Sequence, residues 1–168
     1  MLNKFSVLFV LAIAGCISNI PDTTAGTISG KNIFENKTLG YSMVLPDGWS
    51  AHDSGYSYAI SDTYFYGPVE DNYHRIYIVV TVRNQTSPRI VDDDAYFQGN
   101  ISINGLAATQ YLIKGTRDDL SGNIVNITTK KILLPYQANW YEITAYYYKY
   151  YDKYRDLLDA SIMSFKIL

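Results

Sequence analysis

From about residue 32 onward the chain alternates apolar and polar positions, and this period of two predicts strands. Arg75 to Arg83 is the clearest case, with Ile76, Ile78, Val80 and Val82 on one face and Tyr77, Val79 and Thr81 on the other. Both faces are largely apolar, so this strand is expected at the centre of a sheet covered on both sides. Upstream, Ile33 to Glu35 predicts a short first strand before the Asn36-Lys37-Thr38 turn, and Tyr41 to Leu45 predicts a second. Pro46-Asp47-Gly48 stops that second strand, because proline removes a ladder donor and presets φ while glycine accepts a positive φ. Trp49 then returns a large apolar surface toward the sheet. Tyr56, Tyr58 and Ile60 alternate with small residues, and Tyr64-Phe65-Tyr66 forms another extended run before Gly67-Pro68.

Downstream, Ile101-Ser102-Ile103, Asn104-Gly105 and Leu106 to Lys114 predict a hairpin, since a type I′ turn needs positive φ at both central positions. Two further strands are expected over Ile124 to Leu134 and Trp140 to Tyr148, around Pro135-Tyr136-Gln137-Ala138-Asn139. The period changes to 3.6 only near the end, where Tyr154, Leu157, Leu158, Ser161 and Ile162 form an apolar stripe, with Asp152 as N-cap. Ser164 to Leu168 reads as a terminal strand. Between residues 84 and 100 the pattern is broken by Pro88, and Asp92-Asp93-Asp94 suits the start of a short helix through Tyr96-Phe97.

The first fifteen residues follow neither period. Lys4 precedes an apolar run from Phe5 to Ile13, too short to span a bilayer comfortably, and Ile13-Ala14-Gly15 leads into Cys16. This order resembles a prokaryotic lipobox and implies export with lipid attachment at Cys16. An ordinary secretory signal and an uncleaved N-terminal anchor remain open, and each puts the body outside the cytoplasm. The expected organisation is a lipoprotein signal peptide over 1–15, a flexible tether over 16–31 and one domain over 32–168.

Composition narrows the chemistry. Cys16 is the single cysteine, so the body offers no disulfide, thiolate metal site or thiol nucleophile. Net charge is −2, becoming −3 once a leader carrying Lys4 is removed, and no Lys/Arg cluster offsets it, which argues against nucleic acid as a partner. Tyrosine occurs 17 times against 6 Phe and 2 Trp. Such rings bury well while their hydroxyls stay wet, which suits a half-exposed antiparallel sheet and also suits a contact surface.

The strand ending in Leu45-Pro46-Asp47-Gly48-Trp49, the Ile103-Asn104-Gly105-Leu106-Ala107-Ala108 hairpin, the Trp140-Tyr141-Glu142-Ile143-Thr144 strand and the final helix running into Ser164-Phe165-Lys166-Ile167 resemble the PsbP-like (Mog1/PsbP) superfamily over roughly residues 40–168. The resemblance implies an α+β fold, an antiparallel β-sheet with covering helix or helices arranged as an α/β/α sandwich. It also implies an exported lipoprotein that binds or assembles rather than catalyses. The named members help retain calcium and chloride at a manganese cluster or bind a small GTPase, and none of their functional residues maps onto this chain. The chain departs from the family in one place, where the short acidic 84–100 segment stands in for the usual intervening helix.

Candidate sites are sparse. His52 and His74 are the only imidazoles, and a metal or hydrolase site would need them to converge with Asp53, Asp62, Glu70 or Asp71. No such spacing is imposed by the sequence, and no Gly-x-Ser-x-Gly elbow is present. Asp92-Asp93-Asp94 and Asp118-Asp119 concentrate carboxylates without a calcium-loop pattern. Asn36, Asn84, Asn100 and Asn126 head N-glycosylation sequons, all but Asn126 at predicted turns. Tyr146, Tyr148, Tyr150 and Tyr151 lie where a strand passes into a helix and form a candidate interaction surface. The function these readings favour is an extracytoplasmic, membrane-anchored binding or assembly module. It would need no cofactor or metal, and its partners would be the membrane through Cys16 and an envelope protein or glycan. The alternative is a hydrolase or metal-dependent enzyme using His52 or His74.

Overall fold

The computed structural model describes residues 32–54, 61–72, 74–84, 95–118 and 121–168. The leader, Cys16, the tether, Tyr56, Tyr58, Ile60, Pro88, Asp92 to Asp94 and Asp119 lie outside the described residues. The described residues form ten strands and one helix in order: β1 (Ile33–Asn36), β2 (Tyr41–Val44), β3 (Ser50–Ser54), β4 (Ser61–Val69), β5 (Arg75–Asn84), β6 (Ala95–Ile103), β7 (Leu106–Asp118), β8 (Ile124–Tyr136), β9 (Asn139–Tyr148), α1 (Tyr151–Met163) and β10 (Lys166–Ile167). Seven strands form an antiparallel sheet in the order β3-β4-β5-β9-β8-β7-β6, and β1-β2-β10 form a second, small sheet.

The small sheet and α1 pack side by side on one face of the large sheet. That face supplies Phe65, Ile76, Ile78, Val80, Val82, Ile132, Leu134, Tyr141, Ile143 and Ala145, and receives Tyr41, Met43, Leu158, Ile162 and Phe165. Burial of so many large side chains, each contributing about 1.5–3 kcal/mol, is the main stabilising term. Tyr141 donates its hydroxyl to Leu39 O at 2.9 Å, and Ser164 Oγ accepts from Val44 N at 2.8 Å, so the small sheet is tied both to the large sheet and to the end of α1. Lys130, on the inner face of β8, is buried and pairs with Asp159 of α1, which also accepts from Tyr147 Oη at 3.1 Å.

Strand β5 is interior as its apolar faces suggest, third of seven between β4 and the central β9, but the described structure covers it on one face only. The opposite face of the sheet is a field of half-buried tyrosines around buried Val79, Thr81, Glu142 and Thr144. No helix covers it among the described residues; the fold is α+β, and the helix described, α1, lies on the other side. The second helical layer implied by the resemblance has no counterpart in what is described.

Four expectations are corrected. Tyr96 and Phe97 belong to strand β6 rather than to a helix, because the segment pairs with β7 and Gly99 sits at φ 142°, which no α-helix accepts. Helix α1 begins one residue before Asp152: Tyr150 occupies the N-cap without a side-chain cap, and Asp152 serves the first turn. The connector after β8 is only Gln137-Ala138, with Gln137 at φ 52°. Pro135 stays in the strand because pairing of β8 with β7 runs from Ile124 to Leu133 and stops there, so no β7 carbonyl waits for its missing N–H. Asn100 lies inside β6 rather than at a turn.

Candidate binding site

The turn between β4 and β5 meets the corner between β9 and α1, and charged groups clamp the two. Asp71 shapes the turn by accepting from His74 N at 2.9 Å, while Glu70 N donates to His74 O at 3.0 Å. The Asp71 carboxylate also lies 2.9 and 3.0 Å from His74 Nδ1, accepts from Tyr150 Oη at 2.8 Å and pairs with Lys149 at 3.0 Å. Next to it, Glu70 accepts from Lys153 Nζ at 2.7 Å and from the Tyr154 hydroxyl. The Lys153 hydrogen bond, seconded by Tyr154, holds the Glu70 carboxyl below its ordinary range. The same contacts raise Lys149 and Lys153, and burial, seconded by the carboxylates, raises the Tyr150 and Tyr154 hydroxyls. His74 is almost fully buried, with its ring 5.0 Å from that of Tyr148.

A cleft of about 710 Å³ opens beside this clamp. The Pro46–Trp49 turn forms one wall, Gly67, Pro68 and Val69 form another, and Tyr154 and Leu157 of α1 close it. The Trp49 indole lies flat against Gly67, so close that a Cβ there would stand 2.5 Å from Trp49 Cζ2. Arg75 brings a cation into the cleft and is held by two contacts: Nε donates to Gly67 O at 3.1 Å, and the guanidinium sits 4.7 Å from the Tyr66 ring centroid. Val69 is 64% exposed, an apolar residue presented to solvent at the rim. The site therefore combines a partly apolar wall with one oriented guanidinium.

The four candidate tyrosines separate. Tyr146 and Tyr148 lie on the outer face of the sheet, where Tyr146 stacks on Tyr77 at 4.4 Å and the array extends through Tyr64 and Tyr66. Burial, helped by a hydrogen bond to Tyr148, pushes the Tyr77 hydroxyl well above its ordinary range. Tyr150 turns to Asp71, and Tyr151 packs edge-on against buried Tyr147 on the helix side, 4.9 Å between centroids. All four are half-buried.

The histidines do not converge. His52 is exposed on edge strand β3 opposite Tyr64, which in turn faces Val79, five residues along β5 from buried His74. Among the described residues no three His, Cys, Asp or Glu side chains gather as a metal site. Asn84, Asn100 and Asn126 are exposed, and Asn36 is half-buried with Oδ1 accepting from Leu39 N at 3.0 Å.

The cleft was not anticipated, because Pro46–Trp49 reads from the sequence as core and turn alone. The available signal was a second turn-forming pair, Gly67-Pro68, inside an aromatic strand: small residues there allow a bulky ring to approach the backbone.

No protein-family model matches the chain, and no curated protein sequence does. Its architecture is that of a PsbP-like fold. It superposes on the solution structure of cyanobacterial PsbP (CyanoP) from Synechocystis with a TM-score of 0.54 and 13% identity, over 88% of this chain and 99% of that one. A crystal structure from Bacteroides thetaiotaomicron matches with a TM-score of 0.51 and 12% identity over 82% of this chain. The chain spans about half the length of that Bacteroides protein, 48% being covered.

Proposed function

We propose that the chain is a membrane-anchored, extracytoplasmic binding or assembly module, that the cleft between Trp49 and Arg75 is its contact site, and that it acts without catalysis. The observation that carries this reading is the clamp. The carboxylates of Glu70 and Asp71 and the imidazole of His74 are engaged in holding the turn against α1, so they shape a cleft rather than offer a general acid or base. A half-apolar wall beside one fixed cation fits an anionic group carried on an apolar body, such as an envelope polypeptide or lipid-linked glycan. The separation of His52 from His74 gives the hydrolase alternative no support.

The test is co-purification from envelope extracts of the native host with wild-type chain and with Arg75→Ala and Val69→Asp. Both exposed-site variants are expected to fold and to lose the wild-type partner by about tenfold or more. Recovery of an unchanged partner set by both would overturn the cleft as contact site. The anchor is tested separately, by the intact mass of the mature protein: a diacylglycerol adduct at Cys16, absent in Cys16→Ser, is expected.

A further inference from the structure

We infer that strand β6 is an edge for pairing with a second copy of this chain, joining two seven-stranded sheets across a two-fold axis. β6 is the last strand of the large sheet, with β7 as its partner among the described residues. It runs for nine residues, Ala95 to Ile103, without an acid, a base or a proline, three of the devices by which sheet edges are blunted; of the others it carries a bulge. The opposite edge, β3, is guarded in that way: it is five residues long and includes His52 and Asp53. Tyr96 and Phe97 are each 61% exposed and fall on opposite faces of β6.

The bulge in β6 selects the occupant. Its register with β7 shifts between Phe97 and Gly99, so the extra residue Gln98 changes the phase at mid-strand. Tyr96 shares the inner face with Ile101 and Ile103, whereas Phe97 shares the outer face with Asn100 and Ser102. A regular strand added at this edge would have to set one residue against the Gln98-Gly99 pair, breaking its ladder as β7 does. A second copy needs no such break. With the two-fold between Gln98 and Gly99, Tyr96 faces the partner's Ile101, Phe97 faces the partner's Asn100, and Ala95 faces the partner's Ser102. Residues directly opposite in an antiparallel pair share a face, and each of these pairs does. Exposed Tyr96 thereby gains an apolar neighbour in Ile101, which packs on the core. The absence of charge also means that symmetry brings no like charges together.

Eight facing residues per copy make a small contact, so a dissociation constant of about 0.1 mM is expected. The test is sedimentation equilibrium of the full, unglycosylated chain in density-matched detergent up to about 1 mM. Three proteins are compared: wild type, the double variant Tyr96→Lys/Phe97→Lys, and Ala51→Lys on edge β3, with circular dichroism confirming that each folds. A monomer–dimer equilibrium weakened at least about tenfold by the double variant and unchanged by Ala51→Lys is expected. Three results would overturn the inference: a monomer at every concentration, self-association indifferent to the double variant, or equal sensitivity to Ala51→Lys.

Discussion

Gly67 is where a single hydrogen atom decides the shape of the candidate site. The Trp49 ring occupies the space a side chain at 67 would need, and the same residue's carbonyl orients Arg75. Gly67→Ala is therefore expected to lower the free energy of unfolding by about 2–3 kcal/mol, since the ring must move against packed neighbours. Urea denaturation would measure this, with an emission shift in a Trp140→Phe background reporting displacement of the Trp49 indole. Gly115→Ala is the matched control: its Cβ would meet Ile127 Cγ1 at 3.7 Å, an ordinary contact, so a change under about 1 kcal/mol is expected. The sequence shows a glycine before a proline in an aromatic run, but the indole approaching it comes from the turn between β2 and β3. That proximity is a tertiary fact, and it explains why the cleft was illegible while the core role of Trp49 was clear.

At the scale of elements, the Asn104-Gly105 turn does more than close a hairpin. Asn104 takes φ 48° and Gly105 φ 84°, the backbone that Asn-Gly foretold. The Asn104 amide then donates to Phe165 O at 2.6 Å and Met163 O at 3.2 Å, holding the hairpin to the exit of α1. Asn104→Asp keeps a residue tolerant of positive φ but turns a double donor into an acceptor facing two carbonyls. A loss of about 1–3 kcal/mol in chemical denaturation is expected, with faster amide exchange around 163–165. The strands between residues 75 and 83 and between 106 and 148 were legible because alternation is a local signal. The segment before Ile101 was misread because three acids and two aromatics also fit a helix start. Pairing with β7 and the positive φ of Gly99 decide for a strand, and neither can be read locally.

Across the whole molecule, tyrosine links the fold to pH. Burial pushes the Tyr147 and Tyr77 hydroxyls well above their ordinary pKa near 10, the first also through Asp159 and the second through Tyr148. Raised folded-state values mean that the neutral phenols favour the fold fully below about pH 10. As pH climbs through and past 10, the unfolded chain ionises these groups and the folded chain does not, so stability falls. Phenolate absorbance is expected to rise in two phases, the second coinciding with loss of near-ultraviolet circular dichroism. Tyr77→Phe should flatten the alkaline decline of the melting temperature.

The sequence by itself determined the strands between residues 75 and 83 and between 101 and 148, the Asn-Gly hairpin, the terminal amphipathic helix and the interior place of β5, because each rests on periodicity or on the backbone preferences of neighbouring residues. It also carried the likeness to the PsbP-like fold. Only the tertiary structure decided which tyrosines share a face, that Glu70, Asp71 and His74 lock a turn instead of meeting His52, and that Pro46–Trp49 meets Gly67 and Arg75 to form a cleft. Those outcomes depend on strand order and register, which bring together residues far apart in the chain, and no local pattern encodes that distance.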